Sequence, residues 1–405
     1  LSRGLCAGTL GRSVASGFRP VSELSSKRSV RDGRGHDGTG FRPVQCCIGL
    51  LLNILGRASL EPASVAEGPP RAPHSDRRLF DSHGRSIRDL RLSITDRCNF
   101  RCVYCMEPDV KFAPRNELLT VPELVRVASV CVGLGVDKVR LTGGEPTLHP
   151  SLTHIIRGVA ALGVPDVALT TNGSRMDAAV LDEWKQAGLS RITISIDSLD
   201  EGRFAAVTRS TTRAADVAEA VRAAKRAGFS PVKINAVAMR GVNETDLPEL
   251  AALARDLDIE ARFIEFMPLD SGRAWDPGKL MPADEIIARI GARFPLVPLG
   301  RDEPSSTSLT FTFADGSPGR IGIIAPVTRP FCGACSRLRI TADGKVRPCL
   351  FSLREWDLRP LLRGGAGDRE IGDYLIDATW TKQAGHGITA PGFEQPQRPM
   401  SSIGG

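Results

Sequence analysis

Three cysteines within eight residues constrain this chain more than any other feature. Cys98-Asn99-Phe100-Arg101-Cys102-Val103-Tyr104-Cys105 sets them at C-x3-C-x2-C spacing. The preceding run, Asp89 to Thr95, alternates apolar and polar residues and reads as a strand. The thiols therefore sit on the loop leaving its C-terminal end. Thiolates are the ligands of choice for iron–sulfur clusters. A four-iron cluster held by three cysteines leaves one iron open to a substrate or cofactor. A zinc knuckle short of its fourth ligand, or free loop thiols, are the alternatives.

Charge and cysteine usage narrow the class. The chain of 405 residues carries a net charge of +7. Residues 1–60 hold nine Lys/Arg against three Asp/Glu, which is +6 of that total and leaves about +1 for the rest. A body this close to neutral lacks the basic excess that wraps a phosphate backbone, so no nucleic-acid partner is expected. Most of the ten cysteines fall in two close sets, the pattern of metal binding in a reducing compartment and not of a disulfide framework. The longest apolar run of the N-terminal part, Cys46 to Leu55, is too short to span a bilayer. No membrane partner is expected.

Residues 1–80 are rich in Arg, Ser, Gly and Pro and read as a disordered extension. Translation from a mis-assigned start is the favoured account, since the first Met is Met106. An organellar transit peptide is the other. The expected location is the bacterial cytoplasm, or the mitochondrion if the segment is a transit peptide.

From residue 89 to about 267 strand and helix patterns alternate. Strands are expected at 89–95, 137–142, 166–171, 191–197, 231–239 and 260–267, with helices between them, which implies parallel strands joined by crossover helices. Strand side chains alternate between two faces. Leu90, Leu92 and Ile94 oppose Arg91, Ser93 and Thr95; Val139 and Leu141 oppose Lys138, Arg140 and Thr142; Val232 and Ile234 oppose Lys233 and Asn235. Parallel strands buried on both faces would be apolar throughout. One polar, partly cationic face instead fits an α/β fold of the partial (β/α)6 barrel kind, whose lumen holds a polar ligand. Residues 81–300 form this barrel in the expected division, and residues 301–405 a C-terminal iron–sulfur and ligand-binding domain that closes it.

The C-terminal part carries Cys332-Gly333-Ala334-Cys335 and then Cys349. Spacing alone leaves zinc and iron–sulfur near even; the first triad favours a second cluster with an open iron. Ser336-Arg337-Leu338-Arg339-Ile340 follows as a strand. It sets two guanidiniums on one face, suited to a bidentate anion. With Arg91, Lys138, Arg140 and Lys233 in the same lumen, a polyphosphate ligand is expected.

Two resemblances add to this reading. C-x3-C-x2-C with Tyr104 before its last cysteine, followed by Thr142-Gly143-Gly144-Glu145-Pro146, resembles the two signature motifs of radical S-adenosylmethionine (SAM) enzymes. The stretch from Pro326 through Cys332, Cys335, Arg337, Arg339 and Asp343-Gly344-Lys345 to Cys349, with the terminal Gly404-Gly405, resembles the GTP 3′,8-cyclase family, a lyase family of molybdenum-cofactor biosynthesis. Ser336 departs from the Asn that many members carry there. The resemblance implies two [4Fe–4S] clusters, one on Cys98, Cys102 and Cys105, the other on Cys332, Cys335 and Cys349. It implies SAM contacts at Tyr104, Gly144, Ser195 and Met267. GTP contacts would be Arg91, Arg140, Thr171, Lys233, Arg337, Leu338 and Arg339. Arg337, Arg339, Gly404 and Gly405 would take part in catalysis. In that family a 5′-deoxyadenosyl radical removes hydrogen from C3′ of GTP, and the C3′ radical closes onto C8 of guanine. An electron donor and a downstream cyclic pyranopterin monophosphate synthase are the implied partners, and a homodimer is compatible. A peptide-modifying radical SAM maturase is the runner-up, and a zinc-dependent nucleic-acid binder a more distant third.

Overall fold

The expected strand–helix repeat is present. The computed structural model describes residues 69–404 apart from Ser271, Arg273 and Ala274. The extension up to residue 68 and the expected catalytic Gly405 lie outside the described residues. In order come β1 (Asp89–Ser93), α1 (Val121–Gly133), β2 (Lys138–Thr142), α2 (Leu152–Ala160), β3 (Asp166–Thr171), α3 (Ala178–Gln186) and β4 (Arg191–Ser195). They continue with α4 (Glu201–Thr208), α5 (Ala214–Arg226), β5 (Val232–Ala238), α6 (Leu247–Leu257), β6 (Glu260–Glu265) and α7 (Ala283–Gly291). Strands β1 to β6 pair in sequence, all parallel.

The C-terminal strands lengthen this sheet at both edges. They are β7 (Leu296–Gly300), β8 (Leu309–Phe313), β9 (Arg320–Ile324), β10 (Arg337–Ile340), β11 (Lys345–Arg347) and β12 (Trp356–Asp357). The result is one sheet in the order β12-β11-β10-β1-β2-β3-β4-β5-β6-β9-β8-β7. Helices α8 (Arg359–Arg363), α9 (Asp368–Trp380) and α10 (Met400–Ile403) complete the chain. Among the described residues no helix is long and apolar enough to cross a membrane.

Local chemistry sets the helix starts. Thr120 and Glu123 form a reciprocal capping box on α1. Asp177 and Asp200 cap α3 and α4 through their side chains. The Glu201 carboxylate accepts the first N–H groups of α5, from Ala214 and Ala215. The apolar strand face packs on the helices: Leu90, Leu92, Leu141, Ile192, Ile194 and Ile234 are all buried in one core. The polar face is left to the lumen.

The expectation of disorder over residues 1–80 fails for the last of them. Leu79 is fully buried and donates its N–H to the carbonyl of Leu134. Arg77 pairs with Asp373 at 2.6 Å, and Asp377 accepts from Ala72 N–H and from His74. Polar composition hid a segment that docks through charge onto α9.

Candidate active site

The two cysteine sets face one lumen from different ends. Cys98 follows the C-terminal end of β1. Cys335 precedes the N-terminal end of β10, which pairs parallel to β1 with Asp89 opposite Arg337. The intervening strand, four steps from Asp89 to Ser93, spans about 13 Å at ~3.3 Å per residue.

The first chamber is lined by Cys98, Cys102, Cys105, Tyr104, Gly143, Gly144, Glu145, Thr171, Ser195 and Asp197. Its cysteine loop is held from several sides. Arg101 Nη1 donates to the carbonyls of Cys98 (2.7 Å) and Phe100 (2.9 Å), and Nε to that of Pro108 (3.1 Å). Glu145 accepts from Thr147, from Thr171 Oγ1 (2.6 Å) and from Asn172 N–H (2.6 Å), and Asn172 Nδ2 donates to Asn99 Oδ1 inside the loop. The second motif thereby grips the first. Tyr104 donates its hydroxyl to Asp197 at 2.8 Å. Burial pushes the Asp197 carboxyl up to about 6, although Val237 N–H and Tyr104 pull it down. Gly144 is required: a Cβ there would stand 2.4 Å from the Arg97 carbonyl oxygen.

The second chamber is lined by Cys332, Cys335, Cys349, Arg91, Arg140, Arg262, Arg337, Arg339 and Lys382, among others. Thr170, Asn235, Ile264 and Met400 line both chambers and form the boundary between them. Buried Lys382 donates Nζ to the carbonyls of Arg337 (2.8 Å) and Pro348. Buried Arg85 pairs with Asp81 at 2.6 Å and donates to the carbonyl of Cys332 at 2.7 Å. At the sheet end, the Glu265 carboxylate accepts from Ala283, Val327 and Thr328, tying α7 to the segment leading into Cys332.

Among the described residues no three His, Cys, Asp or Glu side chains converge on a single-ion site, so the chemistry of each triad is that of thiols spread around one cavity. Phe100 N–H donates to Cys98 Sγ at 3.4 Å, the kind of contact that stabilises a coordinated sulfur. Burial pushes Cys98 up to about 11 and Cys105 to about 12, so the proton leaves as metal binds. Burial also pushes Cys335 up, but Arg337 and Lys382 outweigh it and hold that thiol at about 7. Three thiols lining one cavity can ligate different irons of a polynuclear cluster.

The lumen is strongly cationic. Burial and then Arg91 pull Arg140 down to about 9; burial, Arg91 and Arg337 do the same to Arg339. At neutral pH these guanidiniums stay charged and repel one another. Buried Arg91 Nε and Arg339 Nε have no hydrogen-bond partner. Repelling cations with unspent donors are a site for an anion. Below them Lys233, buried, pairs with Glu260 at 2.5 Å, and Arg262 with the other oxygen of Glu260 at 2.7 Å.

Comparison with known proteins agrees with this geometry. Residues 92–254 match the radical SAM superfamily, and residues 259–388 match Molybdenum Cofactor Synthesis C. The chain is 47% identical over 332 residues to the GTP 3′,8-cyclase of Streptomyces coelicolor, covering 81% of this chain and 96% of that protein. It is 42% identical over 366 residues to the GTP 3′,8-cyclase 2 of Mycobacterium bovis, covering 88% and 100%. This chain belongs to the GTP 3′,8-cyclase family of radical SAM enzymes. The fold is also that of Streptococcus suis SuiB bound to its precursor peptide, at a TM-score of 0.54 and 13% identity over 75% of this chain and 67% of that one.

Against the expectations for a cyclase-family member, the placements divide. Tyr104, Gly144 and Ser195 line the first chamber, whereas Met267 lines the second. Thr171, expected at GTP, lines the first chamber and spends its hydroxyl on Glu145. Arg91, Arg140, Arg337 and Arg339 line the second chamber, and Lys233 its lower mouth. Leu338 is wholly buried in the apolar core, so only its backbone is left for a ligand. Gly404 lies against the ends of the paired strands β1 and β2: a Cβ on it would stand 2.5 Å from Ser93 Oγ and 2.6 Å from Thr142 Oγ1. Sequence reasoning missed Arg262, Arg85 and Lys382. The alternation of Glu260, Arg262 and Ile264 would have put Arg262 on the lumen face, opposite Asn235. Arg85 and Lys382 carry no local pattern.

Proposed function

We propose that this chain is a radical SAM GTP 3′,8-cyclase, converting GTP to (8S)-3′,8-cyclo-7,8-dihydro-GTP in the first step of molybdopterin biosynthesis. The observation that carries the reading is the row of guanidiniums Arg91, Arg140, Arg337 and Arg339, with unpartnered Nε donors on Arg91 and Arg339, in a lumen that joins two cysteine triads. Membership of the radical SAM family brings a [4Fe–4S] cluster and SAM; a second cluster on Cys332, Cys335 and Cys349 belongs to the proposal. When bound, the first cluster with SAM supplies one-electron chemistry for hydrogen abstraction from the ribose.

The chain's own residues bind, orient and shield. Cys98, Cys102 and Cys105 would hold the first cluster, with Tyr104, Gly144 and Ser195 beside SAM. Arg91, Arg140, Arg337 and Arg339 would take the anionic groups of GTP, with Lys233 and Arg262 at the lower mouth. Bidentate guanidinium contacts fix orientation as well as charge. The buried lumen keeps water from the reacting carbon. Gly404 and Gly405 would take part in catalysis with Arg337 and Arg339. GTP is the proposed substrate, an external electron donor and the downstream synthase the proposed partners.

The test is anaerobic reconstitution with iron and sulfide, followed by 5′-deoxyadenosine measurement from SAM with and without GTP. GTP-dependent formation, with a cyclised nucleotide product, is expected. Cleavage indifferent to GTP would remove the substrate assignment and favour another radical SAM reaction. A colourless, zinc-loaded protein would remove both.

A further inference from the structure

We infer that Arg398, gripped by Asp343 and Glu355, is the latch that keeps the C-terminal segment in the lumen. Helix α10 has four residues, too few to be stable alone, so its place depends on tertiary contacts: Ile403, buried in a small apolar cluster, and the ion pairs of Arg398. Met400 lines both chambers and Ser401 the first. Ser401 also hydrogen-bonds toward Cys105, and Gly404 reaches Ser93 and Thr142.

Two residues before this helix, Arg398 makes a double fork. Its Nη1 and Nη2 donate to the two oxygens of Asp343 at 3.1 and 2.8 Å, and its Nε and Nη2 to Glu355 Oε1 at 3.0 and 2.8 Å. Both acids belong to the hairpin region that carries Cys349. Asp343 lies in the β10–β11 turn, its Oδ1 also accepting the Thr341 hydroxyl at 2.6 Å. The second oxygen of Glu355 accepts from Arg347 at 2.9 Å, and Arg347 also donates to the Leu350 and Ser352 carbonyls around the loop of Cys349. The anchor thus joins the tail to the loop of the second triad.

The ionic anchor, partly exposed at Arg398, acts beside apolar packing, since Ile403 is buried with Leu269, Val327, Phe351 and Ile388 and Met400 packs on the same cluster. This satellite cluster is small and separate from the main core, so loss of the Arg398 pairs loosens the tail without unpacking the barrel. Withdrawal of Met400 to Gly404 from the boundary between the chambers would then give a ligand passage. Arg398 is thus a positioning residue for the proposed reaction, and this catalytic role rests on the functional reading above; the latch itself does not.

The experiment is hydrogen–deuterium exchange on the full-length, cluster-loaded protein and its Arg398→Ala, Arg398→Lys and Asp343→Asn variants. Backbone amides of residues 400–404 are expected to exchange about 10-fold faster or more in Arg398→Ala and Asp343→Asn. Arg398→Lys should restore part of the protection, while iron content and Tm stay near the parent's. Unchanged tail exchange would overturn the latch. Loss of iron or of folding in both Arg398→Ala and Asp343→Asn would also overturn it, marking the cluster of charges as a structural staple. If GTP dependence fails in the parent while tail protection still follows Arg398, the functional reading falls and the latch stands.

Discussion

Lys233 and Glu260 show how single residues set the charge of the lumen. Burial, then Arg262, pulls Lys233 down to about 8. Burial pushes the Glu260 carboxyl up, but Arg262 and Lys233 outweigh it and hold it at about 2. The pair is therefore doubly charged between about pH 2 and 8. A lysine with a lowered pKa is charged below that value and neutral above it. Nucleotide affinity should fall as pH climbs through about 8, and binding above it should take up a proton, because phosphate favours the ammonium. Titration calorimetry in buffers of different ionisation enthalpy reads both. Lys233→Arg should remove the step near pH 8; a wild-type profile flat across that range would contradict the assignment. The arginines at Arg91 and Arg339 work differently, holding their charge and waiting with unpaired Nε donors. Replacing Arg339 with Ala removes charge-assisted hydrogen bonds worth about 1.5–3 kcal/mol each, so GTP affinity should drop roughly 10- to 100-fold by calorimetry. A loss under threefold would place the triphosphate elsewhere.

At the scale of elements, the strand ends and the loops leaving them do the work. The turn after β2 threads between Thr95 and Arg97: a Cβ on Gly143 would lie 2.2 Å from the Thr95 carbonyl oxygen, and Gly143 has φ of 141°. Gly144→Ala should push the turn off the cysteine loop at a cost of about 1–3 kcal/mol. A lowered Tm, with poorer iron uptake at Cys98, Cys102 and Cys105, is the expected result; an unchanged Tm with full iron would show that the turn can yield. The strands themselves were legible in the sequence, since alternation names both the strand and its lumen face. Arg262 is equally legible, since the alternation of Glu260, Arg262 and Ile264 sets it on the lumen face. Helix α4 is marked at its start by Asp200 and Glu201. Lys382, and the reach of Arg85 beyond its local partner Asp81, were illegible because the carbonyls they hold belong to distant segments.

For the whole molecule, the arrangement is one lumen with a triad at each end, separated by Thr170, Asn235, Ile264 and Met400. Cys349→Ser should leave the first triad able to load, so iron and visible absorbance should fall to about half if the proposed second cluster loads on its own cysteines. SAM cleavage should persist while cyclisation is lost. Loss of all iron would mean that the two sites fold together. The sequence by itself determined the local chemistry: which cysteines stand in two close triads, which strand face is cationic, and that strands and helices alternate. Spacing and alternation are local, so they survive without coordinates. Only the tertiary structure decided that β10 docks beside β1 and brings Arg337 and Arg339 level with Asp89 and Arg91. It also sent Met267 to the second chamber, Thr171 to the first, and the tail against Ser93 and Thr142. Those are contacts between residues tens to hundreds apart, fixed by packing and charge pairing across the fold, and no local pattern encodes them.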